Sequence, residues 1–215
     1  MGDITRPSLP LWCAAAGVRC ETRGVEIDVG LGPFSAVVLA GGRAARLGGV
    51  DKSSVELGGR TLLARAIDAV MDATEVVVVG ESVPTERPVT FTVESPQYGG
   101  PVAALLTGRD ALLRSPPWLA VLAVDMPRVG PLTFARLLRA TPGHDGAVLV
   151  DPSGRRQLAL VLDVARLDAV RPDHEAQHDM ALHRLLAQLS LAEVVADGDE
   201  HRDIDTWSDL RDLAE

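Results

Sequence analysis

The chain has 215 residues, 47% of them apolar but only 3% aromatic, and a formal charge of −9. That length predicts one domain, or one domain plus a tail, with a core built from Ala, Val and Leu. The acidic balance argues against nucleic acid as a partner, because counterion-release binding needs a basic face. A phosphate ligand would require a local concentration of positive charge.

Residues 1–33 show no steady period and carry Pro7, Pro10, Gly17, Gly24, Gly30, Gly32 and Pro33. They read as an N-terminal extension, disordered or ordered only through Val25 to Val29. Residues 34–215 read as a single domain. The two cysteines, Cys13 and Cys20, are separated by six residues and lack a second pair to complete a zinc site, so they read as free thiols. The short run Leu11 to Val18 makes a poor signal peptide, and no apolar run reaches the ~18–20 residues of a membrane span. A cytoplasmic protein with no membrane association is the expectation.

From Phe34 the pattern becomes regular. FSAVVLA is a continuous apolar run, expected of a strand buried on both faces. After a glycine-rich loop, TLLARAIDAVM places Leu62, Leu63, Ala66, Ile67 and Val70 on one helical face. EVVVVG is a second buried strand and VTFTVE a third. SPQYGGP breaks the chain before the helical spacing of PVAALLTGRDALL. WLAVLAVDMP is another apolar strand, ending in an acid, and LTFARLLRA the next helix. GAVLV and QLALVLD read as strands joined by the turn Asp151-Pro152-Ser153-Gly154. A helix around Asp179 to Gln188, a strand Ala192 to Ala196 and a helix around Trp207 to Leu213 complete the chain. The alternation predicts an α/β fold: a doubly wound, mostly parallel sheet with helices on both faces. In such sheets the ligand lies beyond the carboxyl ends of the strands. Gly41 and Gly42, Gly80, Glu94 and Asp125 all fall just after predicted strands.

The stretch LAGGRAARLGGVDK holds the expected cation cluster, Arg43, Arg46 and Lys52. It lacks the Walker spacing, since no glycine precedes Lys52, and it lacks G-x-G-x-x-G. Glycines there let backbone N–H groups approach a ligand where a Cβ would clash. Arg46 offers a planar fork of donors to phosphates, and Lys52 a mobile point charge. Asp125 can hold Mg²⁺ between protein and phosphate oxygens; the plainer reading is a turn acid before Pro127. Asp51 is either a cap or a ligand residue.

This stretch resembles the signature of the sugar-nucleotide-type nucleotidyltransferases, and within them the molybdenum cofactor guanylyltransferase family. The likeness is carried by Leu39-Ala40-Gly41-Gly42, Arg46, Gly48-Gly49 and Asp51-Lys52. Further echoes come in order along the chain: Gly99-Gly100-Pro101, Val124-Asp125-Met126-Pro127, Arg156-Gln157-Leu158 and Asp203-Ile204-Asp205-Thr206. The resemblance covers Ser35 to the C-terminus. It implies a Rossmann-like nucleotidyltransferase fold, GTP and molybdopterin as substrates, and Mg²⁺ as cofactor. A terminal phosphate of molybdopterin attacks the α-phosphorus of GTP and pyrophosphate leaves. Arg46, Lys52 and Asp125 would be catalytic, Asp125 and Asp205 metal-binding, and Leu39, Ala40, Gly41, Gly42, Lys52, Gly80, Glu94 and Asp125 nucleotide-binding. A monomer or weak oligomer is implied, with transient contact to molybdoenzyme maturation proteins.

Departures from the family pattern leave rival readings. Gly80 stands where the family often has an Asn contacting nucleotide, and Glu94 where it usually has an Asp. Asp203 and Asp205 replace two asparagines, so Asp205 either binds metal or caps the last helix. The rivals are a cytidylyl or other nucleotidyltransferase acting on a different phosphorylated small molecule, and a catalytically weak relative serving as an accessory protein. His174, His178 and His183 read as solvated, and Arg155, Arg156 and Gln157 as either a basic hairpin tip or a second-substrate contact.

Overall fold

The computed structural model describes residues 32–41, 51–94 and 99–214, and all structural statements concern those residues. By internal contacts the chain divides into Met1–Gly32 and Pro33–Glu215. The second unit holds every described residue except Gly32.

In chain order this unit forms β1 (Phe34–Leu39), a hairpin of β2 (Glu56–Leu57) and β3 (Arg60–Thr61), α1 (Leu62–Ala69), β4 (Val76–Val79), β5 (Thr90–Thr92) and α2 (Gly100–Asp110). It continues with β6 (Trp118–Ala123), α3 (Pro131–Ala140), β7 (Gly146–Val150), β8 (Arg156–Asp163) and α4 (Val164–Ala169). It closes with α5 (Leu182–Leu186), β9 (Leu191–Val195) and α6 (Trp207–Ala214). The large sheet has the order β5-β4-β1-β6-β8-β7-β9. Only β8 runs against the others, antiparallel to both β6 and β7. Along β1, Ala36 and Val38 pack with α1 and α3 on one face, whereas Val37 and Leu39 pack with α2 and α5 on the other. The strand is therefore apolar at every position because both of its faces are covered. This is the doubly wound, mostly parallel α/β fold that the alternation predicts.

Three local features differ from expectation. The β2–β3 hairpin turns through Gly58 (φ 59°) and Gly59 (φ 77°), a left-handed pair that suits a two-residue turn. Its strands are too short for a periodic signal. Helix α4 follows β8 without a loop because Asp163 ends the strand and caps the helix, its carboxylate accepting from the Arg166 N–H at 2.9 Å. The helix expected from Asp179 begins only at Leu182, since Asp179 is left-handed (φ 54°) and Ala181 extended.

Glu200 ties the loop after β9 to α3. It accepts from the Arg136 guanidinium at 2.6 Å, from the Thr133 hydroxyl and from the Asp197 N–H at 2.8 Å. Burial pushes its carboxyl pKa up, but these donors outweigh burial and hold it below the ordinary 4.5. A depressed folded-state pKa contributes stability above the unfolded value and loses it as pH falls through the folded one. The stability gap between wild type and Glu200→Gln is therefore expected to be full at neutral pH and to shrink once pH falls below 4.5. Urea unfolding at neutral and acid pH checks this; a gap independent of pH would refute it.

Candidate active site

The chain leaves β1 toward β4 and β5 on one side, then returns to place β6 on the other side of β1. The gap between the carboxyl ends of β1 and β6 is thus a topological switch point, where open α/β sheets bind ligands. A cleft of about 700 Å³ opens there. It is lined by Leu39, Ala40 and Gly41 after β1, Lys52, Glu94 after β5, and Val124 and Asp125 after β6. Ala123 of β6, Gly100, Pro101 and Ala104 of α2, Leu158 of β8, and His178 and Asp179 complete it. Such a volume, with a largely apolar wall and a few charged groups, suits a small-molecule ligand.

Three segments distant in sequence converge on one ammonium. Lys52 begins a 3-10 turn whose start is capped by Asp51, which accepts from the Ser53 N–H at 3.1 Å. Asp125 lies in the turn that ends β6, where the Met126 N–H returns to the Ala123 carbonyl. Ile204, fully buried, donates its N–H to the Asp125 carbonyl at 2.9 Å. That core anchor fixes Asp203 and Asp205 beside Asp125. Lys52 Nζ then donates to Asp125 Oδ2 at 2.9 Å and to Asp205 Oδ1 at 2.6 Å. Burial lowers the Lys52 pKa, but the hydrogen bonds to Asp205 and Asp125 and their charges outweigh it and raise the pKa above its ordinary value. The lysine is fully charged at neutral pH.

Among the described residues, Lys52 donates to Asp125 and Asp205, with Asp203 close by. Asp203 has its pKa raised by burial and then by the charges of Asp205 and Asp125. Such a gathering of carboxylate oxygens suits a hard divalent cation. Among the described residues no three His, Cys, Asp or Glu side chains form a ready-made metal cage. A cation held by Asp125 and Asp205 would therefore complete its shell with water and ligand oxygens, the habit of Mg²⁺ at phosphate sites.

The structure brings Leu39, Ala40, Gly41, Lys52, Glu94 and Asp125 together in the cleft wall. Asp51 takes its capping role. Asp205 does not cap α6: Thr206 and Asp209 do, the Asp209 carboxylate accepting from the Thr206 N–H at 2.7 Å and the Thr206 hydroxyl from the Asp209 N–H at 3.3 Å. Gly80 donates its N–H to the Thr92 carbonyl at 2.9 Å, and a Cβ there would meet the Ala40 Cβ at 3.1 Å. Gly42, Arg43, Arg46, Gly48 and Gly49 lie outside the described residues. Arg156 pairs with Glu193 at 3.1 Å across the β7–β9 side of the sheet. His178 is exposed, as expected, with its side chain 51% accessible; it borders the cleft beside Asp179, whose N–H donates to the Gly99 carbonyl at 2.8 Å. That long-range bond and the left-handed turn at Asp179 tie this loop to the start of α2, and neither is written in local spacing.

Comparison with known proteins gives the same picture. A relative from Natronomonas pharaonis named probable molybdenum cofactor guanylyltransferase is 29% identical over 127 residues, 55% of this chain and 62% of the relative. A molybdenum cofactor guanylyltransferase from Pseudomonas entomophila is 30% identical over 125 residues, 56% of this chain and 64% of the relative. The match thus spans a little under two thirds of the length of these relatives. Among solved structures, Rv0371c from Mycobacterium tuberculosis H37Rv superposes with a TM-score of 0.67 at 20% identity, covering 85% of this chain and 97% of that one. The same protein has been solved in complex with manganese, with a TM-score of 0.63 at 18% identity and coverage of 85% and 98%. Residues 36–194 match the family model of the MobA-like NTP transferase domain. The chain belongs to the MobA-like NTP transferase domain family.

Proposed function

We propose that this chain is a Mg²⁺-dependent nucleotidyltransferase that transfers GMP from GTP to molybdopterin and releases pyrophosphate, in the cytoplasm. The observation that carries the reading is the Lys52–Asp125–Asp205 cluster at the mouth of the switch-point cleft. It pairs a charged amine for phosphate oxygens with carboxylates for a divalent ion. The names of the guanylyltransferase relatives support the substrates, and the manganese complex of the structurally similar M. tuberculosis protein supports a metal.

In this reading Gly41 and Gly42 offer backbone N–H groups to the triphosphate, with Leu39 and Ala40 along the nucleoside. Glu94 reaches the nucleotide from the end of β5, and Gly80 supports the wall by letting β4 approach Ala40. Arg46 and Lys52 take the charge of the β- and γ-phosphates as the leaving pyrophosphate develops. Asp125 and Asp205 would hold the divalent ion, which neutralises phosphate charge when bound. An oxygen of the acceptor's terminal phosphate forms a bond to the α-phosphorus while the bond from that phosphorus to the bridging β-phosphate oxygen breaks. Catalysis comes from alignment and charge neutralisation, with no covalent enzyme intermediate.

The test incubates the protein with Mg²⁺, molybdopterin and each of the four NTPs, reading pyrophosphate release. GTP is expected to support release. No release with any NTP would sink the reading, and release with CTP alone would make the enzyme a cytidylyltransferase.

A further inference from the structure

We propose that Lys52 is a built-in competitor of the divalent cation, so that the ion binds tightly only after nucleotide phosphate has drawn the ammonium away. This rests on the nucleotidyltransferase reading above and adds to it a coupling between cation and nucleotide.

The ammonium lies between the very oxygens a cation would use. Nζ is 2.9 Å from Asp125 Oδ2 and 2.6 Å from Asp205 Oδ1, and the Lys52 side chain is only 19% exposed. A divalent ion bonded to both oxygens at about 2.0–2.1 Å would occupy that same gap. Two cations cannot share it, because the ammonium already fills the space between the two oxygens. Lys52 also lines the cleft into which the triphosphate would enter. Its flexible four-carbon stem lets it trade carboxylate oxygens for phosphate oxygens without a backbone movement. The two oxygens that held the ammonium then face the ion instead. Asp205 has a positioning role here: its carboxylate makes the shorter of the two bonds to the ammonium and so strengthens Lys52 as a competitor.

Because the coupling is a binding free energy it is reciprocal: nucleotide tightens the ion, and the ion tightens nucleotide by the same factor. The device keeps a counter-charge between Asp125 and Asp205 between turnovers and admits the ion together with the substrate it serves.

Mn²⁺ binding is measured by electron paramagnetic resonance on the full chain, alone and with GTP, for wild type and Lys52→Met. Without nucleotide, Lys52→Met is expected to bind Mn²⁺ about tenfold more tightly than wild type, within the usual range of couplings between sites. Wild type is expected to gain Mn²⁺ affinity when GTP is added. Equal Mn²⁺ affinities for the two proteins without nucleotide overturn the proposal. So does a wild type that binds Mn²⁺ as tightly without GTP as with it, and that comparison stands even where Lys52→Met does not fold. Failure of GTP to bind wild type in the presence of Mn²⁺ overturns the nucleotidyltransferase reading as well. GTP binding with equal Mn²⁺ affinities removes the competition alone.

Discussion

Asp125→Asn is expected to lower nucleotidyl transfer about a thousandfold, the several kcal/mol a metal ion supplies to phosphoryl-type chemistry at roughly 1.4 kcal/mol per tenfold. The change removes one charge and almost no volume. It takes from the cleft a carboxylate oxygen that pairs with Lys52 at 2.9 Å and that would also carry the divalent ion. The fold has little reason to respond. The backbone bond that tethers the 203–205 segment uses the Asp125 carbonyl, which the substitution leaves in place. The side chain is 23% exposed, so no buried polar group is stranded. The cluster also sheds one of three mutually repelling acids, a repulsion that raises the Asp203 pKa after burial has done so. Stability is expected to move by less than about 1 kcal/mol. Pyrophosphate release and thermal unfolding, measured on one preparation, check both halves. Activity within tenfold of wild type would remove Asp125 from the chemistry. Lost activity with lost structure would make its role architectural. Asp205→Asn, which keeps Asp125, is expected to cost far less, about tenfold, if the Asp125 carboxylate provides most of the hold on the ion.

Part of the cleft wall was legible in sequence because placement at a strand end depends on local chemistry. Apolar runs read as strands, and the residues just past the carboxyl end of a parallel strand read as cleft. Gly41, Glu94 and Asp125 reached the cleft by that rule, whereas Gly80, chosen by the same rule, does not line it. The limit appears wherever placement depends on contacts between distant segments. Lys52 and Asp205 are 153 residues apart, and no spacing announces that one carboxylate would hold that amine. The acid reads equally well as a cap until Thr206 and Asp209 are seen to fill that role. His178 is the exposed loop residue that its spacing suggests, but its place beside the cleft is not legible, since a backbone bond from Asp179 to Gly99 ties that loop to the start of α2. The β2–β3 hairpin and α4 escaped notice for a different reason: two-residue strands and a six-residue helix are shorter than the windows over which periodicity can be read.

Gly146→Ala is expected to destabilise the fold by about 3 kcal/mol or more, at or beyond the upper end of the usual cost of overpacking. Gly146 opens β7 and is paired on both sides, with Leu162 of β8 and Leu191 of β9. A Cβ there would press into the Val161 carbonyl oxygen, well inside van der Waals contact, and approach the Leu162 Cα at 3.1 Å. Those are backbone atoms of β8, and β8 is itself hydrogen-bonded to β6 on its far side. It cannot retreat without breaking a second ladder, so the strain has no flexible side chain to absorb it. Gly154→Ala supplies the contrast. Its φ of +85° disfavours a side chain, but no atom lies within 4 Å of the added Cβ, so only the roughly 1–2 kcal/mol conformational cost applies. Urea unfolding of the two variants should separate them by more than about 1 kcal/mol, and equal costs would refute the packing argument. Because β7 runs parallel to β6, Gly146 stands at the sheet edge opposite the cleft. Folded Gly146→Ala protein should therefore turn over at the wild-type rate per molecule, while Asp125→Asn protein stays folded and does not.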